Sequence, residues 1–218
     1  FRDVKYEVKG GTEKNLKVIN INVEEKPTGE IAAGAGIGTN GGSFGFSVSE
    51  NNWLGKGSRL KFDLEIVQES LGGVLNYTDP NYNFLGNSIN YYISSESNDK
   101  PDQGYENAIY SAGVNTGFEQ YKDVFFNIGL AASFDDLRTQ DTATASLKKQ
   151  SGEFAEIAGN YGFSFDTRNR AFMPTSGSIL SFGQSIPIVA DKAFITNTIS
   201  SSFYKSLSEN IIGSAKIY

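Results

Sequence analysis

Residues 27–57 read PTGEIAAGAGIGTNGGSFGFSVSENNWLGKG, and the way this stretch divides decides the fold. Asn40-Gly41 accommodates positive φ at both central positions of a two-residue turn, the hairpin geometry whose twist matches that of its flanking strands. Beyond the turn, Phe44, Phe46 and Val48 alternate with Ser43, Gly45, Ser47 and Ser49, the period of two that marks a strand with one apolar and one polar face. The strand before it differs. Ile31, Ala32, Ala33, Gly34, Ala35, Gly36, Ile37, Gly38 and Thr39 comprise two isoleucines and otherwise only alanine, glycine and threonine. A strand so poor in packing side chains should pair weakly and slip easily.

The same alternation extends along most of the chain. From Arg59 to Val67, Leu60, Phe62, Leu64 and Ile66 take one face while Arg59, Lys61, Asp63 and Glu65 take the other. From Asn107 to Glu119, Ala108, Tyr110, Ala112, Val114 and Phe118 oppose Asn107, Ser111, Asn115 and Glu119. Val124, Phe126, Ile128, Leu130, Ala132 and Phe134 then alternate with Asn127, Gly129 and Ser133. Ile157, Tyr161, Phe163 and Phe165 alternate with Glu156, Asn160, Ser164 and Asp166. These runs match the roughly 9–11 residues a tilted strand needs to cross a bilayer. A strand of a soluble sandwich is shorter, about 5–6 residues. Length therefore favours a transmembrane barrel, with a soluble β-protein of long strands as the alternative.

Composition narrows the function classes. The 218 residues include 24 glycines, 16 phenylalanines and 11 tyrosines, only 5 prolines, and no cysteine or histidine. With no helical stretch evident, the chain reads as all-β. Disulfides, thiolate nucleophiles and cysteine-based zinc sites are excluded, and the commonest metal ligand and general base is missing. An enzyme is therefore not expected, nor a cofactor or metal. The net charge of −6 argues against a nucleic-acid surface, which needs clustered Lys and Arg. No apolar run is long enough for a transmembrane helix. The negative mean hydropathy is compatible with a membrane barrel, in which alternate residues face water. The opening FRDVKYEVKGG lacks the pattern of a secretory signal. The expectation is either a cytosolic protein or an internal piece of a longer precursor.

Connections alternate in length. NNWLGKG (51–57), DPNYNFLGN (79–87) and QYKD (120–123) are short, whereas polar segments at 98–105 and 137–153 are longer. Short turns at one rim and longer loops at the other are what an outer-membrane barrel shows. The short turns would then be periplasmic and Arg138 to Gly152 an exposed external loop.

Three ordered elements resemble one family. NLKVININVEEKPTGEIAAGAGIGTNGGSFGFSVSENNWLGKG resembles the junction in BamA-type assembly factors, where the last strand of the final POTRA domain ends in V-x-E-x-P-T-G and the first barrel strand follows. YTDPNYNFLGNSINYYIS is similar to that family's turn between barrel strands four and five. FDTRNRAFMPTSGSILSFGQSIP resembles its D-x-R-N-x-x-x-x-P-T-x-G element between strands eight and nine. The resemblance covers essentially the whole chain, in order. It implies an all-β fold: residues 1–26 as the last two strands of a POTRA domain, with Val4, Tyr6 and Val8 on one and Leu16, Val18, Ile19, Ile21 and Val23 on the other. Residues 27–218 would be about eleven strands of a sixteen-stranded antiparallel transmembrane β-barrel. NIIGSAKIY would be strand eleven, and the family's V-R-G-F lid-loop motif does not occur in this sequence.

The resemblance further implies folding and insertion of β-barrel proteins into the bacterial outer membrane, without covalent chemistry, through a lateral gate at the first barrel strand. The N-terminal strands would lie in the periplasm. Partners would be nascent outer-membrane proteins, accessory assembly lipoproteins and the lipid bilayer, with no nucleic acid. Ile31 to Thr39 is then the candidate gate strand, because an edge strand offers unpaired N–H and C=O groups to a guest. Against this stands the possibility that its glycines relieve crowding or let the barrel bend.

Trp53, the only tryptophan, stands in the short turn after strand two, as an interfacial anchor or packed on a periplasmic neighbour. Asp166, Arg168, Asn169 and Arg170, followed by Pro174, Thr175 and Gly177, form a charge-dense element. A salt-bridged structural turn is the expectation there, against an acid and a phosphate-binding cation. Asp135, Asp136 and Asp141 are expected to be solvated loop charge, not a calcium site. A related translocation and assembly factor, or a two-partner secretion pore, would share the POTRA-plus-barrel plan. An adhesin or ligand-binding soluble or surface β-protein would instead fold in water without detergent.

Overall fold

The structure is a computed structural model and describes every residue except Lys14, Thr39, Asn40 and Asn210. Two antiparallel sheets account for it. The smaller pairs β1 (Asp3–Gly10) with β2 (Lys17–Glu24). The larger is an unbroken meander of eleven strands: β3 (Gly29–Gly38), β4 (Gly41–Trp53), β5 (Ser58–Val67), β6 (Ser70–Asp79), β7 (Ser88–Lys100), β8 (Tyr105–Tyr121), β9 (Val124–Thr139), β10 (Gly152–Asp166), β11 (Ser176–Ala190), β12 (Thr196–Ser208) and β13 (Ile211–Ile217). Every strand pairs with its sequence neighbours and the sheet is not closed, so β3 and β13 lie at its two ends. The expected all-β partial barrel, with about eleven strands, agrees with this.

Register sorts the side chains onto two surfaces. Because residues directly opposite one another share a face, Val48, Phe62, Leu75 and Ile93 form one continuous apolar row across β4 to β7. Ser47, Asp63, Val74, Ser94 and Ser111 form a mainly polar row on the opposite face. The apolar face has no protein layer over it: Ala143 and Ala158 are the only buried hydrophobics among the described residues, while Ile93, Ile128, Ile188 and Ile199 are exposed. A soluble sheet must bury such a face against a second layer; in a barrel wall the bilayer covers it and the polar face lines the lumen.

Four local expectations need correction. Loop 98–105 shrinks to a four-residue turn, because Asn98, Asp99 and Lys100 pair with Asn107, Glu106 and Tyr105. Asp135 and Asp136 are strand residues of β9, opposite Phe154 and Glu153 of β10. Only Asp141 of the three is in the loop. Trp53 is the last residue of β4, in register with Ser58, because a shift in the β4–β5 ladder after Glu50 lets the strand run three residues further. The loop 140–151 also contains one short helix, α1 (Ala145–Lys148), capped by Thr144, whose Oγ1 accepts from Leu147 N at 3.3 Å. The expected Asn40-Gly41 turn lies partly outside the described residues; Gly41 itself has φ +90°.

Candidate functional site

The gate-strand residues fall on β3, the terminal strand, except Thr39, which lies outside the described residues. All ten residues of β3 are exposed. One edge of β3 is bonded to β4 and the other has no partner strand among the described residues. Ile31, Ala33, Ala35 and Ile37 continue the outer apolar face, while Ala32, Gly34, Gly36 and Gly38 face inward.

Support for β3 fades along its length. At its start, Asn51 holds Thr28 O twice, through its backbone N at 3.1 Å and through Nδ2 at 3.0 Å. Ile31 then stands opposite Val48, and Ala33 opposite Phe46. Beyond that the pairs are Gly34–Gly45, Ala35–Phe44, Gly36–Ser43, Ile37–Gly42 and Gly38–Gly41. Cross-strand side-chain pairs contribute about 0.2–1 kcal/mol each, so the far half of the hairpin rests almost wholly on its backbone ladder.

Crowding does not explain these glycines. A Cβ built on Gly34, Gly38, Gly42 or Gly45 meets nothing within 4 Å, and one on Gly36 touches only Ser43 Oγ, at 3.1 Å. Each strand glycine also costs about 0.5–1 kcal/mol relative to alanine. A strand that is locally under-stabilised, with room to be otherwise, is the principal physical feature of this site.

Inside the sheet beside β3 is an open hollow of about 860 Å³, bordered by Ala32, Gly34, Ser47, Asp63, Glu65 and Glu96. Its one close ion pair is Lys61–Asp63 at 2.6 Å. The border mixes three carboxylates and several serines with Phe44, Phe46, Leu64, Val74 and Ile109, and its residues come from strands paired in sequence order, so the hollow is open rather than an enclosed pocket. No cluster of potential metal ligands exists among the described residues.

The second element, at the β10–β11 turn, is held by its own side chains. Arg168 donates Nε to Asp166 Oδ1 at 2.9 Å and an NH2 proton to Oδ2 at 2.7 Å, a bidentate pair. Asp166 raises the Arg168 pKa further above its already high ordinary value, so the guanidinium stays charged. Asn169 bridges the turn: Nδ2 donates to Thr175 Oγ1 at 2.8 Å and Oδ1 accepts from Thr175 N and Ser176 N. Met173 has φ +49° just before Pro174. Gly177 has φ +94°, and a Cβ there would collide with Thr167 O. Acid and cation are thus spent on one another, and neither is aimed at a vacant site.

Trp53 lies on the outer face, lining a cleft of about 450 Å³ with Ile31, Val48, Leu60 and Phe62 at the start of β3. What the sequence reading missed is an aromatic row across four strands. Phe118, Phe126, Phe163 and Phe182 are successive register partners. Their ring centroids are 6.0, 6.3 and 5.6 Å apart. Each ring was visible in its own strand's alternation; that they meet depends on register, which single-strand periodicity does not specify.

Comparison with known proteins places this arrangement. The chain is 26% identical over 176 residues to the outer membrane protein assembly factor BamA of Neorickettsia risticii (strain Illinois), covering 76% of this chain and 23% of that relative. The chain thus spans 23% of that protein's length. Its fold matches the crystal structure of BamA from Haemophilus ducreyi lacking POTRA domains 1–3, with a TM-score of 0.81 at 22% identity, over 96% of this chain and 43% of the other. Residues 52–218 match the Omp85 superfamily domain, which is most of the sequence, and the chain therefore belongs to the Omp85 superfamily.

Proposed function

We propose that this protein takes part in folding and inserting β-barrel proteins into the bacterial outer membrane, with β3 as the strand on which an incoming strand is templated. The observation that carries this reading is how β3 is held: its pairs with β4 include almost no side-chain contact in its second half, although a Cβ on Gly34 or Gly38 would meet nothing within 4 Å. A strand that parts easily from its neighbour offers backbone donors and acceptors to any extended segment, independent of sequence, which suits many clients. Its weak grip on β4 lets it tilt away while Asn51 keeps its start tethered to Thr28. Nascent outer-membrane proteins are the proposed clients and accessory assembly lipoproteins the proposed partners.

The remaining parts fit this role without covalent chemistry. The outer apolar face sits in the bilayer, with Trp53 as an interfacial anchor at the base of the gate strand. The open hollow beside β3, with Asp63, Glu65 and Glu96 on its border, leaves room for water on the inner side of the peeling segment. The β10–β11 turn, with its bidentate ion pair and bridging Asn169, fixes strand register at the periplasmic rim. The β1–β2 hairpin belongs to a periplasmic POTRA domain: Val4, Tyr6 and Val8 stand opposite Val23, Ile21 and Ile19, an apolar face awaiting the rest of that domain.

The test uses the absence of cysteine. Single cysteines placed from Ile31 to Gly38 are assayed in cells for crosslinks to the terminal strand of a nascent barrel protein. Crosslinks that alternate with strand register establish templating at β3. Sites that are labelled by small thiol reagents yet capture no client, in a protein that conducts ions or binds a secreted partner, would transfer the assignment to a secretion pore.

A further inference from the structure

Among the described residues, one buried side-chain oxygen has no hydrogen-bond partner: Asp135 Oδ1. Its isolation does not depend on a sheet edge. Strand β9 is flanked on both sides, and Asp135 stands in register between Ile109 of β8 and Phe154 of β10. The oxygen is already covered by these surroundings, so a segment from elsewhere in the chain does not reach it as it stands. Unmet buried acceptors are uncommon in folded proteins, and a carboxylate is the most costly group to leave so. Relief has to come from a donor that is already beside it.

Asp135 lies two residues along β9 from Ser133, the register partner of Ser111, and so on the polar face. It borders a cavity of about 280 Å³ with Ser133, Gln150, Phe154, Glu156 and Lys192. Lys192, in the β11–β12 loop, is the cation of that border. Its Nζ lies 3.4 Å from the centroid of the Phe154 ring and donates to Gln150 O at 3.3 Å. These contacts clasp the β11–β12 loop to the end of the loop 140–151. The residue before Lys192 is pinned: Asp191 N donates to Ala155 O at 3.1 Å, and Asp191 Oδ2 accepts from Ala155 N at 2.7 Å. This hook fixes the backbone and leaves the flexible lysine side chain free to turn. Phe154 and Asp135 are direct cross-strand partners, about 5 Å apart, so an ammonium on the ring of one is a short swing from the carboxylate of the other.

We propose that Lys192 has two seats: the one on Phe154 and Gln150 O, which clasps the two loops together, and a second on Asp135 Oδ1, which releases them. In the first, the ammonium has a ring and a neutral carbonyl, and the carboxylate oxygen is unmet. In the second, the two charges meet, and the loop 140–151 loses its hold on the β11–β12 loop while Asp191 keeps that loop on β10. One state trades a cation–π contact and a neutral acceptor for the charge-assisted hydrogen bond of the other. Lys192 is thus a reversible catch between two loops at one rim of the sheet, and its working does not depend on strand templating at β3.

The experiment follows hydrogen exchange at Lys148, Lys149 and Gln150, whose amides are bonded within the loop, in the full chain held in lipid nanodiscs. Asp135→Asn removes the second seat and slows exchange there roughly tenfold, one decade in the ratio of clasped to released loop. Lys192→Met keeps the bulk of the side chain without either polar contact and speeds it. Because Asp135 acts through Lys192, Asp135→Asn has no further effect in the Lys192→Met background, whereas a carboxylate that merely strains β9 shifts exchange in both backgrounds. Asp135→Ser removes the same carboxylate and acts alike, and Glu156→Gln, on the same cavity, changes nothing. Exchange that is unaltered by both Asp135 variants, or slowed equally with and without Lys192, overturns the second seat.

Discussion

The β3–β4 pair and the β8–β11 wall use the same antiparallel ladder, yet they are built to different strengths. From β8 to β11, each ladder carries a phenylalanine opposite a phenylalanine, and β8 and β9 also set Tyr110 against Phe134 and Val114 against Leu130. In β3–β4 the corresponding stretch sets glycine against glycine twice, at Gly34–Gly45 and Gly38–Gly41. Backbone bonding makes both regions sheet, and side-chain pairing determines which comes apart first. On the proposed reading, the β8–β11 wall is the durable part and β3 the strand that parts from its neighbour.

The sharpest way to break that difference is to give β3 the wall's chemistry. Gly34→Val combined with Gly45→Val removes two strand glycines and creates a cross-strand pair, together about 1–3 kcal/mol of added pairing. Hydrogen exchange of the β3 amides should slow by roughly 5–150-fold, and crosslinking to clients should fall in parallel. Since both side chains enter the lumen, Ala35→Val, on the outer face opposite Phe44, is the control; it should slow exchange in the same direction without occupying the hollow. Loss of client capture with unchanged exchange would mean that the glycines serve lumen volume, not weak pairing. The converse change weakens the wall. Phe126→Ala removes two ring contacts at once, for a loss of about 1–3 kcal/mol. Urea unfolding in bilayers should shift accordingly, with faster exchange confined to β8–β10.

Legibility in the sequence followed the same division. Wall strands announce themselves: Leu60 to Ile66 and Val124 to Phe134 alternate cleanly because one face must suit lipid and the other water. The thin strand was legible too, since Ile31 to Gly38 has so little in it to pair. What stayed hidden depends on register or on depth. Asn98 to Lys100 and Asp135 to Asp136 look like loop because strand residues near or beyond the bilayer have no reason to be apolar, yet they are fully paired. The shift that carries Trp53 into β4, and the alignment of Phe118, Phe126, Phe163 and Phe182, belong to pairs of strands. Neither leaves a trace in either strand alone. Helix α1 covers four residues, one turn, too short to have an amphipathic period.

Two smaller changes sharpen the contrast at its boundaries. Gly177→Ala puts a Cβ into Thr167 O at a backbone φ that disfavours any side chain. It should cost about 1–2 kcal/mol and lower the urea midpoint without altering exchange in β3, since the turn it disturbs belongs to the wall. Asn51→Ala is the smallest. It removes the amide that donates to Thr28 O at 3.0 Å but leaves the backbone bond to the same oxygen, so the loss is about 0.5–1 kcal/mol. Its value is positional. If β3 is tethered at its start and free at its end, this substitution should speed exchange at Gly29 to Ala33, where there was protection to lose, and leave Gly34 to Gly38 nearly unchanged. A uniform rise along the strand would mean instead that β3 opens as one unit, and that its glycine-rich half is no more detachable than the half that carries Ile31 and Ala33.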